Sequence, residues 1–217
     1  SDSVSAFLLN RSSDLGALTV TEADGGVTFG ESDTETVGAG TTGPVTVINT
    51  NSTIDVGVGA NVITGGIMLN GGPDELVLTT TSDSVRLNGP VTLKSDVRLD
   101  TDEGDADAGT GGTITFTVDS PIDSEANEAN NLVLDGGAAS VRFNASIGAT
   151  ADGELGRLVV EEADAGVTFG EDDTNQGAGT TGPVSVISVV GDGTGLAGID
   201  IGTGADEILG TGIVLNA

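Results

Sequence analysis

Carboxylates are the reactive groups this chain has most of. The densest run is Asp100-Thr-Asp-Glu-Gly-Asp-Ala-Asp-Ala-Gly109, in which Asp102, Asp105 and Asp107 alternate with small residues. That spacing lets one loop turn several oxygens inward, and calcium takes about six to eight of them. It is not an EF-hand, because the spacing differs and no Glu closes the loop at the twelfth position. Without a metal, the same run reads as a solvated loop between strands. Gly202-Thr-Gly-Ala-Asp-Glu-Ile208 carries part of the calcium-binding nonapeptide, with Asp206 at the acidic position and Ile201 where the first Gly belongs. A turn feeding a strand explains those residues equally simply. Calcium is the one cofactor suggested, through Asp102, Asp105, Asp107 and Asp206.

Other chemistry is thin. Asn10-Arg-Ser12, Asn51-Ser-Thr53 and Asn144-Ala-Ser146 are glycosylation sequons, with acceptors Asn10, Asn51 and Asn144 at strand ends or in turns. Chance matches are expected in a chain rich in Ser, Thr and Asn. There is no His for base catalysis and no Cys for nucleophilic attack. Paired carboxylates alone would suit a polysaccharide-active enzyme. Sugar grooves normally stack their substrate on Trp or Tyr, and the chain has neither. The expectation is a protein that is not an enzyme. Thr113, Thr115 and Thr117 form a triplet that an ice-binding array would repeat on many coils, but ordinary β-propensity accounts for one copy.

The charge balance narrows the partners. Thirty-four acidic residues stand against six basic ones, a net charge of −28, and Lys94 is the single lysine. Neutralising phosphates takes Lys and Arg clusters, so nucleic acid is excluded, and anionic membrane surfaces are disfavoured on the same ground. No apolar run of about 18 residues exists to span a bilayer. Self-repulsion of this size is relieved by salt or divalent cations, which points to a saline or calcium-containing extracellular setting. Ser1 is not a start residue, which suggests a processed or excised chain.

What would position these groups is a repeat. Asp14 to Val45 reads DLGALTVTEADGGVTFGESDTETVGAGTTGPV, and Glu154 to Val184 reads ELGRLVVEEADAGVTFGEDDTNQGAGTTGPV. The match resumes at Gly66-Ile-Met-Leu-Asn70 and Gly212-Ile-Val-Leu-Asn216, so residues 14–70 match 154–216 with a period of about 140. Between lie short alternating apolar runs such as Val85-Arg-Leu87, Val91-Thr-Leu93 and Thr113-Ile-Thr-Phe-Thr-Val118, separated by Gly, Asp and Asn clusters. These are strand and turn patterns. No stretch keeps an apolar period of 3.6; Ser124 to Asn131 is the best helical candidate and is short and polar. With 36 Gly and five aromatic residues, all Phe, the core must be thin.

The predicted fold is all-β: a right-handed parallel β-helix, or β-solenoid, running through residues 1–217 as one segment. Apolar landmarks spaced roughly 18 to 29 residues apart suggest about 20 residues per coil. That gives roughly ten coils and a rod on the order of 50 Å long. The expected inward residues are Leu18, Val20, Phe29, Val47, Leu69, Leu87, Phe116, Leu134, Phe143, Leu158, Val160, Phe169, Val186 and Leu215. Tandem antiparallel β-sandwiches are the alternative, since they too have many short strands. Glu22, Asp24 and Glu31 match Glu162, Asp164 and Glu171, which suggests a periodic acidic stripe along the fibre.

Gly112-Thr-Ile-Thr-Phe-Thr-Val118, Asn131-Leu-Val-Leu-Asp-Gly136, Val141-Arg-Phe-Asn-Ala-Ser-Ile-Gly148, Leu155-Gly-Arg-Leu-Val-Val160 and Val167-Thr-Phe-Gly170 together resemble the strand repeats of giant secreted bacterial surface proteins. These are the filamentous-haemagglutinin-like adhesins and autotransporter passengers. The resemblance implies a β-helix serving as an extracellular or cell-surface filament, stalk or adhesin. Its partners would be itself, stacked head to tail or as a continuous polymer, and cell-surface or biofilm-matrix polysaccharide. Two other readings stay open: a calcium-stabilised surface-layer or matrix module of tandem β-sandwiches, and a polysaccharide-active β-helix enzyme.

Overall fold

In a computed structural model of the chain, the structure describes residues 4–5, 16–30, 47–50, 52–102, 110–170, 186–191, 198–202, 208 and 212–215. Alternation governs the local structure. Ile54–Val56, Val85–Leu87, Val91–Leu93, Ile114–Phe116 and Ile122–Ser124 each run buried, half-buried, buried. Side chains of a strand point to opposite faces in turn, so a three-residue strand offers the core one pair of side chains. One pair buries too little to stand alone, and each strand gains its stability from the same pair in the next coil.

The chain visits three sheets in rotation. β1 (Val4–Ser5) lies on sheet A and β2 (Leu18–Val20) on sheet C. From there sheets A, B and C are met in order by β3 (Val27–Gly30), β4 (Val47–Thr50) and β5 (Ile54–Val56), then by β6 (Ile67–Asn70), β7 (Leu76–Thr80) and β8 (Val85–Leu87). The next two coils are β9 (Val91–Leu93), β10 (Val97–Asp100) and β11 (Ile114–Phe116), and β12 (Ile122–Ser124), β13 (Leu132–Asp135) and β14 (Ser140–Phe143). Ile147 bridges to Ile122 on sheet A, and β15 (Leu158–Val160) and β16 (Gly166–Phe169) follow on B and C. Ile187, bridged to Ile147, begins the last coil, with β17 (Ile199–Ile201) and β18 (Ile213–Leu215).

All fifteen pairings among these strands are parallel. The protein is therefore all-β, built of three parallel sheets of stacked strands, an arrangement consistent with a β-helix. Tandem antiparallel sandwiches need hairpins, and the described strands form none; among the described residues the antiparallel contact is an isolated bridge between Thr81 and Asp102. The segment considered for a helix holds the end of β12 and a turn.

Coils are longer and fewer than expected. Register partners lie 21 residues apart at the shortest, from Leu78 to Leu99, and 46 at the longest, from Phe169 to Leu215. Among the described residues sheet C has seven strands rather than ten, which makes that stack roughly 30 Å long. The landmarks misled because they belong to different sheets: Phe29 and Leu69 lie on sheet A, Leu87 and Phe116 on sheet C.

The interior is a set of columns. On sheet C, Leu87, Phe116, Phe143 and Phe169 are successive register partners, and all are buried. The corners carry buried polar groups. Asn88 donates through Nδ2 to the carbonyls of Gly57 (3.1 Å) and Asn61 (2.8 Å), and its Oδ1 accepts from the Thr117 hydroxyl (2.6 Å). Ser120 donates to the Leu87 carbonyl (2.7 Å) and accepts from the Gly89 amide. Three successive coils are thereby joined at one corner, and backbone groups that the bend frees are satisfied. Glycine is required where coils touch: Gly30 has φ +92°, and a Cβ there would lie 1.7 Å from the Asn70 carbonyl oxygen.

Two expected core positions are corrected. Val186 is 42% exposed, and its neighbour Ile187 packs against the core instead. In the matching stretch Ile48 is buried and pairs with Leu78, and Val47 takes the register position beside Val77. Adjacent apolar residues in Val-Ile leave the alternation ambiguous, and a one-residue slip exchanges the faces. Leu215 aligns with Phe169 but is 74% exposed, because no described strand covers it.

Candidate functional site

Among the described residues, a cluster of charge gathers around Arg98 on the outer face of sheet B. Val97-Arg98-Leu99-Asp100, Leu132-Val133-Leu134-Asp135 and Leu158-Val159-Val160-Glu161 stack in register, so each apolar-x-apolar pair turns inward and delivers an acid just past it. Arg98 reaches all three acids, at 3.8 Å from Asp100, 3.2 Å from Asp135 and 2.5 Å from Glu161. Burial works against its charge, but Glu161, Asp100 and Asp135 together outweigh that and hold the guanidinium above its ordinary pKa. Asp135 is pushed up to about 6, first by burial, then by Asp100 and Glu161; the Gly137 amide and Arg98 oppose the rise. Glu75 is also raised, mainly by burial and further by Asp96 and Glu161 against Arg98. One cation thus serves several half-buried carboxylates, an arrangement that can take up a proton near neutral pH.

Beside it, three successive corners between sheets A and B form a cleft of about 480 Å³, lined by Gly72–Glu75, Lys94–Asp96 and Glu128–Asn130. Lys94 is largely buried there and holds Glu125 at 2.9 Å. Asn130 donates to the Leu93 carbonyl and to Glu128, both at 3.0 Å. The lining is carboxylate, amide and hydroxyl, and its ammonium group is already paired.

The residues singled out as calcium ligands are not brought together by what is described. Asp102 is buried; its amide donates to Asp100 Oδ1 at 3.0 Å, and its own Oδ1 accepts from the Thr110 hydroxyl. Asp105, Asp107 and Asp206 lie outside the described residues. Among the described residues no group of three or more acidic side chains is placed to hold a metal ion. Asn144 is half-buried and its backbone N–H donates to the Phe116 carbonyl, while Asn10 and Asn51 lie outside the described residues. The threonine triplet does not form an array: Thr115 stands between Arg86 and Arg142, and Thr117 is bonded to Asn88. Arg86 itself holds Asp55 at 3.1 Å across the strands.

The repeat is rotated about the stack. β2 on sheet C matches β15 on sheet B, and β3 on A matches β16 on C. Ile48 of β4 on B matches Ile187 on A, β5 on C matches β17 on B, and β6 on A matches β18 on C. Every element shifts by the same one face, because fourteen strand positions separate the copies and fourteen is not a multiple of three. Local geometry survives the shift. Gly30 and Gly170 have φ of 92° and 99°, and Gly57 and Gly202 have 79° and 78°. The acidic stripe is corrected accordingly: Glu22 and Asp24 lie on the way from sheet C to sheet A, Glu162 and Asp164 on the way from B to C. Glu31 and Glu171 lie outside the described residues.

The arginine cluster escaped the sequence reading, although its signal was there: the pattern apolar-x-apolar-acid recurs in Val97–Asp100, Leu132–Asp135 and Leu158–Glu161. Among the described residues no helix is long and apolar enough to cross a membrane. No protein-family model, no curated protein and no solved structure matches this chain.

Proposed function

We propose that this chain is a length of right-handed β-solenoid whose role is structural: an extracellular or cell-surface filament, stalk or adhesin segment. The observation that carries this reading is the rotation of the repeat. A repeat that built a one-sided binding or catalytic surface would bring its copies back to the same face. Here the copies keep their strands and corner glycines and change face together. What is retained is stacking, and stacking supplies length and a continuous backbone hydrogen-bond ladder. The resemblance to filamentous-haemagglutinin-like repeats agrees with this role, as does an acidic surface suited to saline surroundings. We read the chain as non-catalytic, with calcium as a stabiliser to be tested by chelation.

Small-angle scattering on one, two and three fused 140-residue repeats tests the reading. Each added repeat should lengthen the particle by roughly 22 Å at constant cross-section, since it contributes nearly five rungs of about 4.8 Å. Growth in all dimensions would refute it. In the same samples, an unchanged melting temperature in EDTA would leave the ladder itself as the stabiliser, and a large loss would assign part of that role to calcium.

A further inference from the structure

Asn is followed by Gly at two places in the chain, Asn70-Gly71 and Asn88-Gly89. That pairing carries a chemical liability. The glycine nitrogen can lose its proton and attack the Cγ of the preceding side chain. The new N–Cγ bond closes a succinimide, the Cγ–Nδ2 bond breaks, and ammonia leaves with the proton. Water then opens the ring to aspartate or isoaspartate. Glycine offers the least obstruction to this attack, because it has no side chain and turns freely. Both corners nevertheless require the pairing. Asn70 Oδ1 accepts from the Gly72 amide at 2.8 Å, and Asn88 holds the Gly57 and Asn61 carbonyls and the Thr117 hydroxyl. A Cβ on residue 71 would lie 2.3 Å from the Asp74 carbonyl oxygen, and one on residue 89 would lie 2.6 Å from that of Ile63.

The next coil meets each glycine nitrogen with a serine. Gly71 N–H donates to Ser95 Oγ at 2.7 Å, and Gly89 N–H donates to Ser120 Oγ at 3.1 Å. Each hydroxyl gives its own proton to a carbonyl, that of Asp96 for Ser95 (3.0 Å) and that of Leu87 for Ser120 (2.7 Å). A hydroxyl bonded in this way fixes an N–H without being a base for it. Both asparagines, both glycines and both serines are buried, which keeps hydroxide away from the nitrogens. We propose that Asn70-Gly71 and Asn88-Gly89 are succinimide sites held shut by the next coil, with Ser95 guarding the first and Ser120 the second. Ser95 lies 24 residues beyond Gly71 and Ser120 lies 31 beyond Gly89, so each guard meets its site only when the coils are in register. Isoaspartate would add a methylene to the main chain at a corner. Aspartate at position 88 would lose both donations to the Gly57 and Asn61 carbonyls.

Peptide mapping by mass spectrometry, after incubation at mildly alkaline pH, tests the two sites separately. In the folded parent both amides should outlast those of the urea-unfolded chain by on the order of tenfold or more, since reaction must await local opening. Ser95→Ala should speed loss of the Asn70 amide by roughly fivefold to tenfold, the factor that one net hydrogen bond represents, and leave Asn88 at the parent's rate. Ser120→Ala should do the reverse. Each variant is thereby the control for the other, because a general loss of stability would speed both sites together. Equal acceleration of both sites in either variant overturns the proposal. So does an alanine variant that loses its amides no faster than the parent, or a folded parent that reacts as fast as the unfolded chain.

Discussion

The rings of Phe143 and Phe169 lie 4.9 Å apart and 9° from parallel, on partner positions of neighbouring strands. Phe116 continues the stack at 5.5 Å and 3° on the other side of Phe143. Parallel in-register pairing places like residues one above another, so ring stacking adds to area burial. Phe143→Ala should cost about 3–5 kcal/mol, because flanking rings held by two coils cannot collapse into the void. Phe143→Leu should cost about 1 kcal/mol, since Leu87 already occupies this column. Urea unfolding midpoints separate the two.

Asn88 should prove as important as a core aromatic. Its amide nitrogen serves two carbonyls and its oxygen one hydroxyl, across three coils. Asn88→Ala strands those partners at a cost of roughly 2–4 kcal/mol. Asn88→Asp should be no milder, because a carboxylate cannot donate to the Gly57 and Asn61 carbonyls. Equal stability of Asn88→Asp and the parent in chemical denaturation would refute this account.

Loss of Arg98 should expose the repulsion it masks. Arg98→Met leaves Asp100, Asp135 and Glu161 facing one another without their cation. The expected penalty at pH 7 is about 1–3 kcal/mol, moderated by the cluster's partial access to water. Part of it should disappear at pH 4.5, where Asp135 carries its proton. A penalty independent of pH would show that packing of the arginine stem is what matters.

Asp135 sets the direction of the pH dependence. Its folded pKa, about 6, exceeds the ordinary value of 3.8, so the folded state binds the proton more tightly than the unfolded state. That contribution is complete below pH 3.8 and is lost as pH rises through 6. Stability should therefore increase on acidification from pH 7 to pH 5, and Glu75 should add in the same direction. Asp135→Asn should flatten this part of the curve and raise stability at pH 7 by about 1–2 kcal/mol. Thermal melts at half-unit pH steps provide the measurement.

Gly30 and Gly16 form a matched pair of tests. Gly30→Ala meets both a left-handed φ and the Asn70 carbonyl, and should cost several times the roughly 1 kcal/mol of a purely conformational penalty. Nothing lies within 4 Å of a Cβ at Gly16, so Gly16→Ala should leave the melting temperature nearly unchanged.

Strand identity was readable because alternation is written residue by residue, as in Val85-Arg86-Leu87 and Val91-Thr92-Leu93. Coil length was not, because it depends on corners that vary freely: three residues, Lys94 to Asp96, join β9 to β10, while residues 101–113 separate β10 from β11. The sheet to which a strand belongs was hidden for a related reason. All three sheets ask for the same buried-exposed-buried pattern, so nothing in Leu18-Thr-Val20 marks it for sheet C. The Arg98 cluster needed that assignment, since Asp135 and Glu161 reach Arg98 only after coils of 35 and 26 residues are laid in register. Where apolar residues adjoin, as at Val186 and Ile187, even the inward residue was ambiguous.

The indifference of the repeat to its face bears on how such a chain can change in length. A gene segment encoding fourteen strand positions can be duplicated or lost by unequal recombination, and the flanking strands still find partners of the right pattern. No compensating substitution is needed at the seam. Everything downstream, however, turns by one face. Copy number in such a stack therefore sets two things at once: its length, and the face on which each later strand falls.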